Sequence, residues 1–174
     1  GAQSGILIKG GESLEKIHQL TMIVFDKTGT LTIGQPAVTD VIPAAGITKE
    51  TVLKYAASLE KVSEHPLAKA ILRRIEEDEI IIPVVEEFRA LSGMGARGLI
   101  EKETCLIGNA LLMQKEGIDI GVLRRVAENM EQEGKTVVYV TAANNAIGLI
   151  ALADMAKSSA AQAINVLKIR GLKV

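Results

Sequence analysis

Residues Ile23 to Thr32 read IVFDKTGTLT, an apolar run that stops at an aspartate and continues as lysine and threonines around a single glycine. The stretch TMIVF, Thr21 to Phe25, is continuous, apolar and rich in β-branched residues, and it predicts a strand buried on both faces. The carboxyl edge of a parallel sheet is where open α/β folds place reacting groups, so Asp26 stands where a nucleophile would. Asp, Thr and Gly also form ordinary turns after strands, and for DKT alone that reading suffices. A turn, however, needs only one or two of the seven identities in DKTGTLT.

Working outward, the chain has 174 residues, 48% of them apolar, enough for one large or two small domains with a real core. Twenty basic residues against 21 acidic ones leave a net charge of -1, so no global field draws the chain to nucleic acid or to an anionic membrane. Aromatics are only 2%, which argues against a base-stacking platform, and no nucleic-acid partner is expected. Cys105, the single cysteine, excludes an internal disulfide and any cysteine-paired metal site. The opening GAQSGILIKGGESLE lacks a secretory pattern. The most apolar segment, Ala146 to Ala156, is far shorter than the ~20 residues of a membrane helix, so this stretch is expected to be soluble and cytosolic.

Periodicity sets out the elements. After Gly34 and Pro36, Ala37 to Pro43 alternates like a half-buried antiparallel strand. A helix is predicted over Lys49 to Leu59 with Thr48 as N-cap, and a second over Leu67 to Glu77 with Pro66 in its first turn. Short strands follow around Val84 to Leu91, Gly98 to Glu101 and Thr104 to Ile107, then helices at Ala110 to Lys115 and Gly121 to Glu133. Thr136 to Val140 and Ile147 to Asp154 read as a hairpin turning at Asn144 and Asn145. A last helix over Ser158 to Arg170 stops at Gly171, with a strand starting at Leu172. A buried strand at the start and a strand-helix-strand unit at the end thus bracket an α+β insertion.

Four ordered motifs carry a resemblance: DKTGTLT at Asp26 to Thr32, SEHPLAKAI at Ser63 to Ile71, GMG at Gly93 to Gly95 and IGNALLM at Ile107 to Met113. Together the chain resembles the P-type ATPases, specifically their heavy-metal branch and most closely its copper exporters. The resemblance implies an α/β phosphorylation domain of the haloacid-dehalogenase-like kind, present in part. Into it is inserted an α+β nucleotide-binding domain built on an antiparallel sheet flanked by helices. It divides the chain into residues 1–34 and 148–174 for phosphorylation and 35–147 for nucleotide binding.

By the same resemblance Asp26 attacks the γ-phosphate of ATP, and Asp26 and Thr28 belong to an incomplete Mg2+ site; Lys27 reads either as a charge that helps neutralise the phosphate or as a solvated surface lysine. Rapidly hydrolysing relatives place a second aspartate two positions after the nucleophile. Here that position is Thr28, which cannot act as acid or base at neutral pH, so the phosphoenzyme is expected to persist. A histidine before proline is by itself usually a helix-start residue; the resemblance places His65 against adenine, with Glu60 and Glu64 helping to hold the purine. GMGARG, Gly93 to Gly98, formally fits a dinucleotide fingerprint but is followed by short strands rather than a helix. Gly93 and Gly95 are instead expected to let the backbone approach the nucleotide, a side chain at Gly95 filling the slot, while Gly108 and Asn109 line the same cleft. Phe88 is read as core.

One departure is Ser158, where the family's phosphorylation domain has a proline after the pair seen here as Asp154 and Lys157. The chain is expected to stop before the loops that complete the Mg2+ site. The expected partners are ATP, the transporter's membrane helices and actuator domain, and a heavy-metal ion bound elsewhere. The alternatives are a zinc, cadmium or lead transporter of the same branch, a free-standing phosphatase, and a module that only binds ATP.

Overall fold

A computed structural model describes residues 16–63 and 65–174, so Glu64 lies outside the described residues. Six strands form one sheet in the order β1-β6-β5-β4-β3-β2, with β1 at Thr32–Pro43, β2 at Val85–Leu91, β3 at Gly95–Ile100, β4 at Glu103–Gly108, β5 at Thr136–Ala142 and β6 at Asn145–Ala156. The pairings β2 with β3, β3 with β4, β4 with β5 and β5 with β6 are all antiparallel. Four helices accompany this sheet: α1 at Lys49–Glu60, α2 at Pro66–Glu77, α3 at Ala110–Lys115 and α4 at Gly121–Gln132. A fifth, α5, spans Ser158–Ile169.

Alternation along the strands sends successive side chains to opposite faces. Ile107, Val140, Ile150 and Leu152 meet Leu53, Ala56 and Leu59 of α1 and Ile71 and Ile75 of α2 in one apolar cluster. Their neighbours Leu106, Tyr139, Leu149 and Ala151 join Leu112 and Met113 of α3 and Leu123 and Ala127 of α4 in another. The sheet is therefore a divider between two cores. Cys105 is buried in the first, where burial pushes its thiol up to about 11 and keeps it protonated at neutral pH.

Helix ends follow local chemistry. Thr48 caps α1 by accepting the Thr51 amide at 3.1 Å, and Pro66 opens α2, where its missing N–H leaves no intrahelical bond unmade. The β5–β6 turn falls on Ala143 and Asn144, both with positive φ, because Ala142 pairs with Asn145. That sets the turn one residue earlier than the sequence predicts, since a two-residue hairpin of this type needs two left-handed residues in succession.

Contacts divide the chain into two compact units, with crossings between Gly34 and Gln35 and between Met155 and Ala156. Residues 35–155 hold the two clusters. The border expected at 147/148 lies inside β6, which runs unbroken from Asn145 to Ala156.

In the other unit, Thr21 to Phe25 departs from the expected doubly buried strand. It makes one parallel bridge, Met22 to Lys173, through Ile23 N to Lys173 O at 2.8 Å and Lys173 N to Thr21 O at 2.9 Å. Val24 is 86% exposed. Burial on two faces needs layers on both sides of the strand, and among the described residues only Ile23 and Phe25 of this stretch are even partly covered.

Candidate functional site

A cavity of about 640 Å3 opens in the 35–155 unit, between the α1–α2 junction and the ends of β3, β4 and β5. Glu60, His65, Gly93, Gly95, Gly108 and Asn109 all line it. All but Glu60 come from three separate sequence motifs.

His65 caps α2. Its backbone is extended, its N–H donates to the Ser63 hydroxyl at 3.2 Å, and its Nδ1 accepts the Leu67 amide at 3.2 Å. A neutral imidazole accepting through Nδ1 carries its proton on Nε2, leaving a donor at the far edge of the ring. Glu60, at the end of α1, is only 8% exposed, and its Oε2 is the one buried side-chain oxygen or nitrogen without a partner among the described residues. Burial pushes its carboxyl above the ordinary range, against the opposing pull of the Ser63 hydroxyl and the nearby His65. A buried carboxylate oxygen with no donor among the described residues has the capacity to accept an N–H.

Asn109 ties the opposite wall together. Its Nδ2 donates to Gly93 O at 3.0 Å, its backbone N donates to Met94 O at 2.9 Å, and its Oδ1 caps α3 by accepting the Leu112 amide at 3.0 Å. The two glycines of GMG serve different ends. Gly93 has φ +69 and open space where a Cβ would stand. At Gly95, φ +148, a Cβ would lie 2.0 Å from Ile107 O and 2.6 Å from the Cα of Gly108, the residue paired with it across β3 and β4. A side chain at Gly95 would thus strike the neighbouring strand before it filled the slot, which corrects the reason expected for that glycine. Gly108 mirrors it, with a Cβ 2.2 Å from Met94 O. Phe88 packs against the core, as read, and also forms cavity wall. Ser63, Thr136 and Val138 line the cavity too, though no motif marks the last two.

Asp26, Lys27 and Thr28 lie in the other unit, all exposed, at the start of a wound loop over Lys27–Leu31. Gly29 takes φ +76 there. Thr32 pins the loop: its Oγ1 donates to Lys27 O at 3.0 Å and accepts the Gly29 amide at 3.1 Å. Lys157 closes it from outside, Nζ to Gly29 O at 2.8 Å and N to Leu31 O at 2.8 Å. Among the described residues no group of three or more His, Cys, Asp or Glu side chains is placed to hold a metal, and no helix is long and apolar enough to cross a membrane.

Comparison with known proteins bears on both regions. The profile of the haloacid dehalogenase-like hydrolases matches residues 20–174. The chain is 39% identical over its whole length to a silver exporting P-type ATPase of Salmonella typhimurium, covering 21% of that protein. It is 42% identical over 99% of its length to a copper-exporting P-type ATPase of Bacillus subtilis, covering 22% of it. A crystal structure of a zinc-transporting PIB-type ATPase in its E2.Pi state superposes with a TM-score of 0.86 at 40% identity, covering 99% of this chain and 28% of that one. The chain spans about a fifth of the length of the curated relatives it matches. It belongs to the haloacid dehalogenase-like hydrolases, and over nearly its whole length it is similar to a stretch of heavy-metal P-type ATPases.

Proposed function

We propose that residues 35–155 bind ATP in the cavity beside His65 and that Asp26 accepts its γ-phosphoryl group, as part of a heavy-metal-translocating ATPase in a membrane. The unpartnered Oε2 of Glu60 carries the reading. Adenine offers an exocyclic amine, the kind of donor that oxygen lacks, and the cavity falls within the size range of small-molecule sites. His65 Nε2–H and the Gly93 backbone supply polar and flat surface around the ring. Glu64, outside the described residues, belongs to the same set by motif.

In the transfer, an Asp26 oxygen forms a bond to the γ-phosphorus as the bond to the leaving ADP oxygen breaks, giving an aspartyl phosphate. Asp26 and Thr28 would hold part of an Mg2+ site, and the ion would supply charge neutralisation for the transferring group. Lys27 adds positive charge beside it. Thr28 offers no general acid or base, so the phosphoenzyme outlives that of a phosphatase. Copper as the cargo rests on the motif resemblance; the silver, copper and zinc relatives stand at nearly equal identity.

The test is titration of ATP and GTP into isotopically labelled chain, followed by amide shifts. ATP should move Ser63, His65, Gly93, Met94 and Asn109. GTP, which carries a carbonyl where adenine has its amine, should bind about tenfold more weakly, the equivalent of ~1.4 kcal/mol. Shifts confined to other residues, or equal affinity for the two nucleotides, would overturn the assignment.

A further inference from the structure

The pairing of β2 with β3 slips by one residue partway along. Glu86 pairs with Leu99 and Arg89 with Arg97, so Glu87 and Phe88 together stand opposite the single residue Gly98, a β-bulge. Glu87 is exposed and takes φ +48, a left-handed conformation that strains any residue with a side chain. Gly98 leaves the room for it: a Cβ there would lie 2.4 Å from Val85 Cγ2 and 3.0 Å from Leu59 Cδ2.

The extra residue decides which face Phe88 occupies. Val85 packs against the first apolar cluster, and strict alternation from it would put residue 87 on that face and residue 88 on the other. With the bulge in place Phe88 joins Val85 against the first cluster, and Leu91 falls to the second. Ala90 pairs with Ala96, a member of the first cluster, so these two share the face of Phe88. All three line the cavity. Phe88 is the one aromatic residue among the described residues that line it, and it is only partly buried, with the single methyl groups of Ala90 and Ala96 on the same face. Filling the first cluster asks only for apolar volume, which a regular strand with an apolar residue at position 87 would supply. A bulge held against backbone strain does more: it brings a planar ring to a cavity wall.

We propose that Phe88 is the residue on which the purine base stacks, and that the bulge at Glu87 is what turns it to the cavity. The proposal rests on the ATP reading above and deepens it: Glu60 and His65 meet the edge of the base through hydrogen bonds, and Phe88 meets its face. Stacking on an aromatic ring adds affinity with little discrimination, because every base has a π-face. Affinity and base choice are thereby divided between different residues.

Titration of ATP and GTP into the starting chain, Phe88→Leu and Phe88→Ala tests it, with the adenine ring protons followed by NMR and the fold checked by circular dichroism. In the starting chain those protons should move upfield on binding, the ring-current sign of stacking. Phe88→Leu, which keeps apolar volume in the first cluster, should remove most of that movement and weaken ATP and GTP alike by about fivefold, and Phe88→Ala should weaken both by about twentyfold. Glu87→Val, a β-branched residue at a left-handed position, should bind ATP about threefold more weakly than Glu87→Gly, which suits that backbone. Upfield movement that persists in Phe88→Leu, or ATP affinity unchanged in it, overturns the stacking while amide shifts at Ser63, His65 and Gly93 keep the nucleotide reading. A loss confined to ATP, with GTP unaffected, overturns the stacking as well. Equal affinity in the two Glu87 variants overturns the role given to the bulge. ATP that fails to move those amides in the starting chain overturns both readings.

Discussion

The two units hold their functional groups by different means. In residues 35–155 the cavity wall is an extension of packed cores, and every apolar side chain among the described residues that is nearly inaccessible to water lies there, from Val41 to Leu152. In the described part of the other unit α5 has no buried residue, and the Asp26 loop is kept in shape by hydrogen bonds from Thr32 and Lys157. The difference teaches that the proposed nucleotide cavity is shaped by burial, whereas the proposed phosphorylation loop is shaped by short polar contacts to the backbone. The first kind of order is costly to break and slow to adjust; the second is cheap on both counts.

Core truncation is the most forceful way to break that contrast. Leu59→Ala or Ile150→Ala should destabilise residues 35–155 by about 2–5 kcal/mol in a circular-dichroism denaturation, and Ile169→Ala on exposed α5 by less than about 0.5 kcal/mol. Comparable losses at Ile150 and Ile169 would end the distinction. Glycines test it next. Gly95→Val forces a branched side chain into the Ile107 carbonyl and should cost about 3 kcal/mol together with ATP binding. Gly29→Ala, with φ +76 but open space around its Cβ, should cost only about 1 kcal/mol of strain and leave the ATP titration unchanged.

Glu60 sharpens the comparison within residues 35–155. Its folded carboxyl is raised, so the folded state is most stable below the ordinary value of 4.5, where both states are protonated, and loses stability as pH rises through the folded value. Glu60→Gln should therefore be more stable than the starting chain at pH 7, by about 1 kcal/mol, with the advantage gone at pH 4, and should bind ATP about tenfold more weakly. A variant less stable at pH 7 than at pH 4, relative to the starting chain, would reverse the sign. The smallest effect is expected at Lys157→Ala: amide shifts limited to about residues 26–32, with the cavity and the unfolding midpoint little changed.

Much of this was legible in the sequence because local chemistry and tertiary packing agree. Thr48 before α1, Pro66 at the start of α2 and the apolar β-branched run through Thr136 to Val140 each specify their element without reference to anything distant. The motif residues His65, Gly93 and Asn109 could be named from their strings and Glu60 from its nearness to His65, and the structure brings them to one cavity. TMIVF misled because its apolar pattern states a demand for burial, and demand does not say which segments meet it. The reason for Gly95 was hidden because it lies in a partner strand, opposite Gly108, that no short string reveals. Arg73 was invisible for a like cause: beside Arg74 in sequence it reads as one more charge on a solvated helix face, and only the fold sets Gln35 and Pro36 within its reach.

Because α2 carries His65 at one end and Arg73 toward the other, it acts as a ruler with a phase as well as a length. Each residue inserted between them would turn the far end by about 100° and advance it by about 1.5 Å, so a single insertion would swing the Arg73 guanidinium off Gln35 Oε1 and Pro36 O even if every neighbouring side chain were kept. Four insertions would nearly restore the angle but overshoot by about 6 Å. The segment between those two residues can therefore vary freely in the identity of its exposed positions, such as Lys69, but not in their number.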